Sequence, residues 1–337
     1  VVNIADILEK NGTESSWSHT VINSKSNSAT LIAQLPGEGN RKHFHPDWDE
    51  WWYILQGEWT WTIEGQDKII EEGQVVFIER GRQHKITASG NIMNAELVIK
   101  CLENNKNVFC EKPPAFSSAE MLRIIDLEKK SGKKLMYGFN HRFHLSVEEA
   151  KSIIDSKIYG NVINLKGVYG KSQMISFNQT DWRTKREESG GGILLDQGIH
   201  MLDLIRYLSG EDFSKVFSFI DNAFWNFDVE DNAYVLMQSP KGVVAQVHSS
   251  ATQWRHIFNL EITLQKGSLV LGGILTGSKS YGEEKIVYGI RDNKSIDGQM
   301  KSQSSKFLKD NSWEKEIFEF IECISLDKPI INGNSID

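Results

Sequence analysis

Near residue 91 the hydrophobic pattern of this chain changes its period, and that change limits the folds open to it. Before it stand five short runs, "ATLIAQL", "EWWYILQG", "EWTWTIEG", "QDKIIEEG" and "QVVFIERG". They are rich in β-branched and aromatic residues, end at glycines or polar turns and recur at roughly ten-residue spacing, which predicts an all-β sandwich or barrel. An apolar-periodic stretch, "VVNIADILEK", and a polar one, "NGTESSWSHT", precede them. Beyond residue 91, "NAELVIKCLENNK" (94–106) puts Leu97, Val98, Cys101 and Leu102 on a helical stripe. "NVFC" (107–110) reads as a strand, 117–132 as a helix and "KKLMYGF" (133–139) as a second strand. That helix has Ser117 as N-cap, Glu120 three positions on and Gly132 as its stop. Such alternation predicts a parallel sheet.

Further along, the pattern predicts a helix over 145–157, a strand over 161–171, a glycine run "SGGG" (189–192) and a helix over 195–208. Several strands between 215 and 290 then predict a large, mostly antiparallel sheet. Residues 291–312 read as a polar loop and 313–326 as a last amphipathic helix. The expected domains are 1–92, with its strand core at about 30–90, then 93–140 and 141–337.

Two constellations carry chemistry. Gly37, His43, His45, Glu50 and Gly57 stand in the order G-x5-H-x-H-x4-E-x6-G. Histidines two apart on a strand point to one face, so two imidazoles can converge on one ion. Glu50 adds a carboxylate after a turn at Pro46. Gly73, Gly81 and His84 form a second block that supplies a fourth donor. Three imidazoles and a carboxylate suit Fe, Mn, Ni, Cu or Zn, and ligand type does not choose among them. The same residues also suit a barrel that holds no ion. These two blocks resemble the cupin family over roughly residues 30 to 90, with Glu79 where proline is usual and Ala88 where asparagine is usual. The resemblance implies a small β-barrel with a divalent transition metal at its mouth, held by His43, His45, Glu50 and His84. The tryptophans of "WDEWWYILQGEWTW" read either as barrel core or as a platform for a sugar ring.

The second constellation lies downstream. Oxidising a secondary alcohol takes a base within reach of the hydroxyl, and a nearby cation stabilises the alkoxide. Lys112 follows a strand of a β/α unit, where such sheets usually bind ligands. Asp196 and His200 are at i and i+4, so on one helix they share a face. By themselves these two also suit a helix-start carboxylate and a buried histidine. "VFCEKP" (108–113), "GFNHRF" (138–143) and "GGGILLDQGIHMLDLIRYLSG" (190–210) are similar to the Gfo/Idh/MocA oxidoreductases, from about residue 94 onward. That resemblance implies an NAD- or NADP-dependent dehydrogenase acting on a sugar, cyclitol or nucleotide sugar. It implies Lys112 beside nicotinamide and substrate, Asp196 as a substrate contact and His200 as general acid/base. It places Glu111, Pro113 and Asn140 near the nicotinamide, and Trp182 and Arg183 as a pair touching cofactor or substrate. His141, His144, His248 and His256 have no partner pattern and are expected to be structural, and Cys110 a core thiol.

The fold class expected is thus multidomain: an all-β cupin barrel, a truncated Rossmann remnant, and an α+β domain with a large mostly antiparallel sheet. The dinucleotide fingerprint G-x-G-x-x-G after a first strand is not in this sequence; "GEGNRK" (37–42) leads into the metal motif instead. Dehydrogenase activity is therefore expected only where NAD(P) is held in some other way. The alternative is a metal-dependent cupin that binds or converts a sugar-type ligand, with the C-terminal part as a non-catalytic oligomerisation scaffold. The edge of strand 107–110 is expected to need cover. Val1 in place of Met, and the stop at "INGNSID", lead to the expectation that both ends are truncated.

The net charge of −7 argues against nucleic acid or an anionic membrane as the main partner, because both reward a basic face. No apolar run approaches 18 residues. Three widely spaced cysteines, Cys101, Cys110 and Cys323, suggest reduced thiols and a cytoplasmic protein. The partners expected are a sugar-type small molecule and further copies of the chain, through the C-terminal sheet.

Overall fold

The computed structural model describes residues 2–11, 16–34, 38–89, 94–173, 181–277, 279–291 and 300–334. The chain divides into two compact units, Val1–Ile92 and Met93–Asp337.

The first unit opens with α1 (Ile4–Asn11) and is otherwise built of strands. These are β1 (Trp17–Asn23), β2 (Ser28–Ala33), β3 (Glu50–Tyr53), β4 (Glu58–Ile63), β5 (Gln66–Glu71), β6 (Val75–Ile78) and β7 (His84–Ser89). All pairings are antiparallel: β1 with β2, β3 with β6, and β4 between β5 and β7. Strand alternation sorts the side chains. Trp61 is fully buried with Val76, Ile78 and Ile86, and Trp52, Trp59, Ile63 and Ile70 pack against them. The tryptophan stripe is thus divided: Trp52, Trp59 and Trp61 serve the core, while Trp48 and Trp51 face outward. Gly57 and Gly81 turn between strands with φ of 81° and 82°, a region that favours glycine. Two strands were not foreseen. β1 begins in the stretch read as polar and went unmarked because nearly all its side chains are exposed. β7 follows the last apolar run and carries the second-block histidine at its start.

The second unit begins with α2 (Asn94–Glu103), β8 (Val108–Glu111), α3 (Ser118–Ser131) and β9 (Leu135–Gly138). β8 and β9 are parallel, as the alternation predicts. α3 carries the expected capping box: Ser117 accepts from the Glu120 amide, and Glu120 reaches back to the N-cap. It ends at left-handed Gly132. Val98 and Leu102 of α2, Ile124 of α3, and Cys110, Leu135 and Tyr137 of the strands share one core. Burial pushes the Cys110 thiol up to about 12, as an inert core thiol requires. The outer edge of β9 is closed by the C-terminal segment, where the Tyr137 amide donates to the Gly333 carbonyl at 2.7 Å. Among the described residues no strand lies on the outer side of β8.

A 3-10 turn, Asn140–Phe143, leads into α4 (Leu145–Asp155) and β10 (Val162–Gly170). There follow α5 (Arg186–Ser189), a π-helical turn at Leu194–Gly198 and α6 (Ile199–Ser209). The remaining strands are β11 (Lys215–Asp221), β12 (Asn232–Gln238), β13 (Val244–Ser250), β14 (Ile257–Leu264), β15 (Gly267–Gly272), β16 (Glu284–Arg291) and β17 (Met300–Phe307). The last element is α7 (Ser312–Ser325). The strands from β10 on form one eight-stranded sheet in the order β11-β12-β13-β10-β14-β15-β16-β17. Only the β10–β13 pair is parallel. Val147 and Ala150 of α4 and Met201, Leu204 and Ile205 of α6 lie in one core with Leu165, Val247, Leu260 and Leu269 of the sheet.

One expectation is corrected. Residues 300–307, read as part of a polar loop, are β17, paired in register with β16. The strand is the sheet's edge, so its polar residues can face water, and no apolar alternation marks it. No described helix is long and apolar enough to cross a membrane. The opposite edge carries apolar side chains outward. Phe217 and Phe219 of β11 and Tyr234 and Leu236 of β12 are all exposed, and the register pairs Phe217 with Leu236 and Phe219 with Tyr234.

Candidate active site and candidate metal centre

Three separate segments of the second unit meet at Asp196. β8 ends at Glu111, so Lys112 stands at the start of the loop that follows it. Its ammonium lies 3.5 Å from the Asp196 carboxylate and also donates to the Asp196 carbonyl. β10 ends at Gly170, which places Lys171 next; its Nζ is 2.8 Å from the second Asp196 oxygen. Arg183 follows at 3.9 Å. Burial alone would raise the Asp196 carboxyl, but Lys171, Lys112 and Arg183 outweigh it and hold the group well below the usual carboxylate range.

Asp196 lies in the π-helical turn and His200 in the first turn of α6, so the pair does not share one regular helix as the i, i+4 spacing implied. A widened turn of this kind is frequent at functional sites. The glycine run that precedes it is required by close approach: a Cβ on Gly192 would stand 2.0 Å from the Glu230 carbonyl oxygen. His200 is buried, and its Nδ1 has no hydrogen-bond partner among the described residues. Burial, the Lys112 charge and His144 lower its pKa well below the ordinary value, against the pull of Asp196. The imidazole is therefore neutral at pH 7, as a proton acceptor must be.

His141, expected to be structural, is buried beside His200. It has no sequence pattern, yet its ring stacks on that of His200, with centroids 3.8 Å apart and planes at 14°. One ring nitrogen lies 3.2 Å from the Tyr169 hydroxyl and the other 3.0 Å from Asn140 Oδ1. His144 is likewise partnered, 2.8 Å from Glu284. The segment holding these residues is pinned by a buried ion pair, Arg142 with Asp203, at 2.5 Å. Lys171 was missed, since one lysine after a strand carries no motif. Asn140, expected near the nicotinamide, bonds Ser312 at 3.3 Å and faces His141. Glu111 is pushed upward by burial, with Lys112 opposing. The Asn94 amide donates to the carbonyls of Glu111 and Pro113 and fixes the loop's path. Trp182 belongs to a 3-10 turn at Asp181–Thr184, but its side chain lies outside the described residues, as does Gly37.

In the first unit His43, His45, Glu50 and His84 do converge: one donor atom from each lies within 4.8 Å of all the others. Glu50 Oε2 is 2.9 Å from His84 Nε2 and 3.4 Å from His45 Nε2. The Nδ1 atoms of His43 and His84 are placed 2.7 Å and 3.1 Å from the carbonyls of Arg41 and Arg82. Such bonds fix the tautomer with Nε2 free to act as a ligand. His43 and His84 also bond main chain to main chain, which sets the two motif strands in register. The donor set fits a divalent transition metal on these grounds.

The Asp196 cluster has a consequence for pH. Its folded pKa is below its unfolded value, so its stabilisation is full above about pH 5 and fades as pH falls toward the folded value. Asp196→Asn is expected to cost about 1–3 kcal/mol at pH 7, less than a fully enclosed pair because the carboxylate is 26% exposed. Urea unfolding of wild type and variant should show the gap narrowing from pH 5 downward; a gap independent of pH contradicts the assignment.

Comparisons with known proteins match three stretches of the chain. Residues 147–270 match the family profile described as the GFO/IDH/MocA C-terminal domain, and residues 86–139 the oxidoreductase family's NAD-binding Rossmann fold. Residues 30–99 match the cupin domain. Myo-inositol 2-dehydrogenase of Thermotoga maritima is 28% identical over 172 residues, 49% of this chain and 48% of that protein. Glucose-6-phosphate 3-dehydrogenase of Bacillus subtilis is 32% identical over 129 residues, 38% of this chain and 37% of that protein. The chain thus spans about half, or less, of these curated relatives. Among solved structures, aldose-aldose oxidoreductase from Caulobacter crescentus, complexed with glycerol, superposes with a TM-score of 0.60 at 25% identity, covering 72% of this chain and 69% of that one. A levoglucosan dehydrogenase in complex with NADH and levoglucosan gives 0.63 at 21% identity, covering 74% and 72%, and shares the fold. Residues 86–139 and 147–270 belong to the Gfo/Idh/MocA oxidoreductase family, and residues 30–99 to the cupin family.

Proposed function

We propose that the second unit binds a sugar, cyclitol or nucleotide sugar at Lys112, Asp196 and His200, as an NAD(P)-dependent oxidoreductase of the dehydrogenase type. The observation that carries this reading is the meeting of Lys112, from the end of β8, with Asp196, which lies one turn before a neutral, buried His200. A secondary hydroxyl placed there would meet a cation that stabilises the alkoxide and an imidazole that accepts its proton. Asp196 orients Lys112 through its carboxylate and its carbonyl. The stacked His141 fixes the plane of His200. Glu111, Pro113, Asn140, Trp182 and Arg183 are proposed for the cofactor side. A bound nicotinamide would supply the hydride acceptor. The loop after β8 fits that reacting end, whereas no glycine-rich loop in the sequence fits the pyrophosphate. The chain's own contribution is therefore to the proton and the alkoxide. The protein is proposed to be cytoplasmic, with its three cysteines as free thiols.

The cupin unit supports a second reading, because its four donor atoms converge without help from the rest of the chain. Folded as a small barrel, it would hold a divalent transition metal through His43, His45, Glu50 and His84, and the second unit would serve as an oligomerisation scaffold. The metal would supply a Lewis acid for a sugar-type ligand. The exposed Phe217, Phe219, Tyr234 and Leu236 suit a sheet face shared between copies.

Three measurements test these proposals. Titration with NADH and NADPH, followed by fluorescence, is expected to saturate below about 1 mM, with turnover of sugar alcohols falling 10²-fold or more in Lys112→Met, the loss of an electrostatic stabiliser; no saturation at millimolar cofactor rules out the dehydrogenase. Elemental analysis after incubation with Fe, Mn, Ni or Zn is expected to find one metal per chain, lost in His84→Ala; a chain that stays metal-free ends the cupin reading. Light scattering behind size exclusion is expected to give a mass above that of one chain, reduced by Phe219→Lys; a clean monomer contradicts the shared sheet face.

A further inference from the structure

We propose that the polyol taken at the Asp196 site is anionic, bearing a carboxylate or a phosphate ester, and that Lys171 is the residue that recognises the charge. This rests on the oxidoreductase reading for the location of the ring, but not for the sign of the charge. The two lysines share a single carboxylate: Lys171 stands 2.8 Å from one Asp196 oxygen and Lys112 3.5 Å from the other. Their side chains are only 15% and 17% exposed. The histidines do not change the balance in either direction, since burial keeps His141 and His200 neutral. Glu111 is the next acid along the Lys112 loop, and its carboxyl lies against Gly138. Among the described residues, two ammonium groups thus face the one carboxylate of Asp196. Partly desolvated positive charge is costly until an anion joins it. A neutral polyol would leave that cost in place, whereas a carboxylate or phosphate would remove it.

Lys171 is assigned the role because Lys112 is already committed to both the carboxylate and the carbonyl of Asp196. Among the described residues the Lys171 ammonium makes one bond, and an ammonium has three donors. The Lys171 main chain is held from both sides: its amide donates to the Ser250 carbonyl, and its carbonyl accepts from the Gln253 amide. The residue is thereby fixed at the end of β10, beside the segment that carries His256. That histidine is oriented by Ser280 at 2.6 Å and stacks on Tyr281, whose hydroxyl accepts from Gln197 of the π-helical turn. A rigid polar rim thus adjoins the spare Lys171 donors.

Calorimetric titration of the full chain, with and without saturating NADH, tests this with three probes: glucose, glucuronate and glucose 6-phosphate. At least one anion is expected to bind tenfold or more tightly than glucose at low salt, with the ratio shrinking at 0.5 M salt as screening predicts. The tighter of the two anions identifies carboxylate or phosphate as the recognised group. Lys171→Gln is expected to bring the ratio close to one, with an unfolding midpoint lowered by the loss of the Asp196 pair but the native circular dichroism retained, and Lys171→Arg to retain both ratio and midpoint. A ratio near one in the wild type overturns the proposal. So does a ratio that survives in Lys171→Gln, or the absence of binding by all three probes. Should the ratio hold while NADH fails to bind, the anion subsite stands and the dehydrogenase reading falls; should NADH bind with a ratio near one, the reverse is true.

Discussion

The carboxylate of Asp196 is the point on which the second unit's buried charge network turns. Three cations reach it from three segments, the loop after β8, the end of β10 and the turn before α5. An ion pair of this kind is geometrically demanding, because a partly buried charge left without its partner is costly. Each segment is therefore held where its charge is needed. The glycine run brings the π-helical turn against Glu230, the Asn94 side-chain amide fixes the path of the loop after β8, and main-chain bonds hold Lys171. The neutral state of His200 follows from the same arrangement, since burial and the neighbouring Lys112 both disfavour an imidazolium.

The cupin unit solves a different problem with less machinery. Its donors come from two short stretches, and cross-strand bonds between His43 and His84 suffice to bring them together. Carbonyls of the same loops hold two of the rings. The outcome is one donor set that is local and one that is long-range: the four metal-type ligands fall within 42 residues, whereas Lys112 and Asp196 are 84 apart. A local constellation leaves a regular spacing in the sequence. A long-range one leaves only fragments.

The sequence made legible what local physics decides. The change of period near residue 91, the capping box at Ser117 and Glu120, and the stop at Gly132 all depend on neighbours within a few residues. So does the alternation of Trp59, Trp61 and Ile63 on one face of β4. β1 and β17 were illegible because they are paired but scarcely buried, so selection places no apolar alternation on them. The fingerprint residues Lys112, Asp196 and His200 were visible as motifs. Lys171 and His141 were not, because each matters only through a contact with a residue distant in sequence.

By itself, then, the sequence determined two kinds of thing: the alternation of strands and helices, and the donor set of the cupin motifs, both products of short-range periodicity. Only the tertiary structure decided that a lysine ending β10 would share one carboxylate with a lysine following β8. It also decided that two histidines 59 residues apart would lie face to face. The physical reason is that charge balance and ring stacking act through space over a few ångströms, and proximity of that kind is set by how the sheet and helices pack, not by any spacing along the chain.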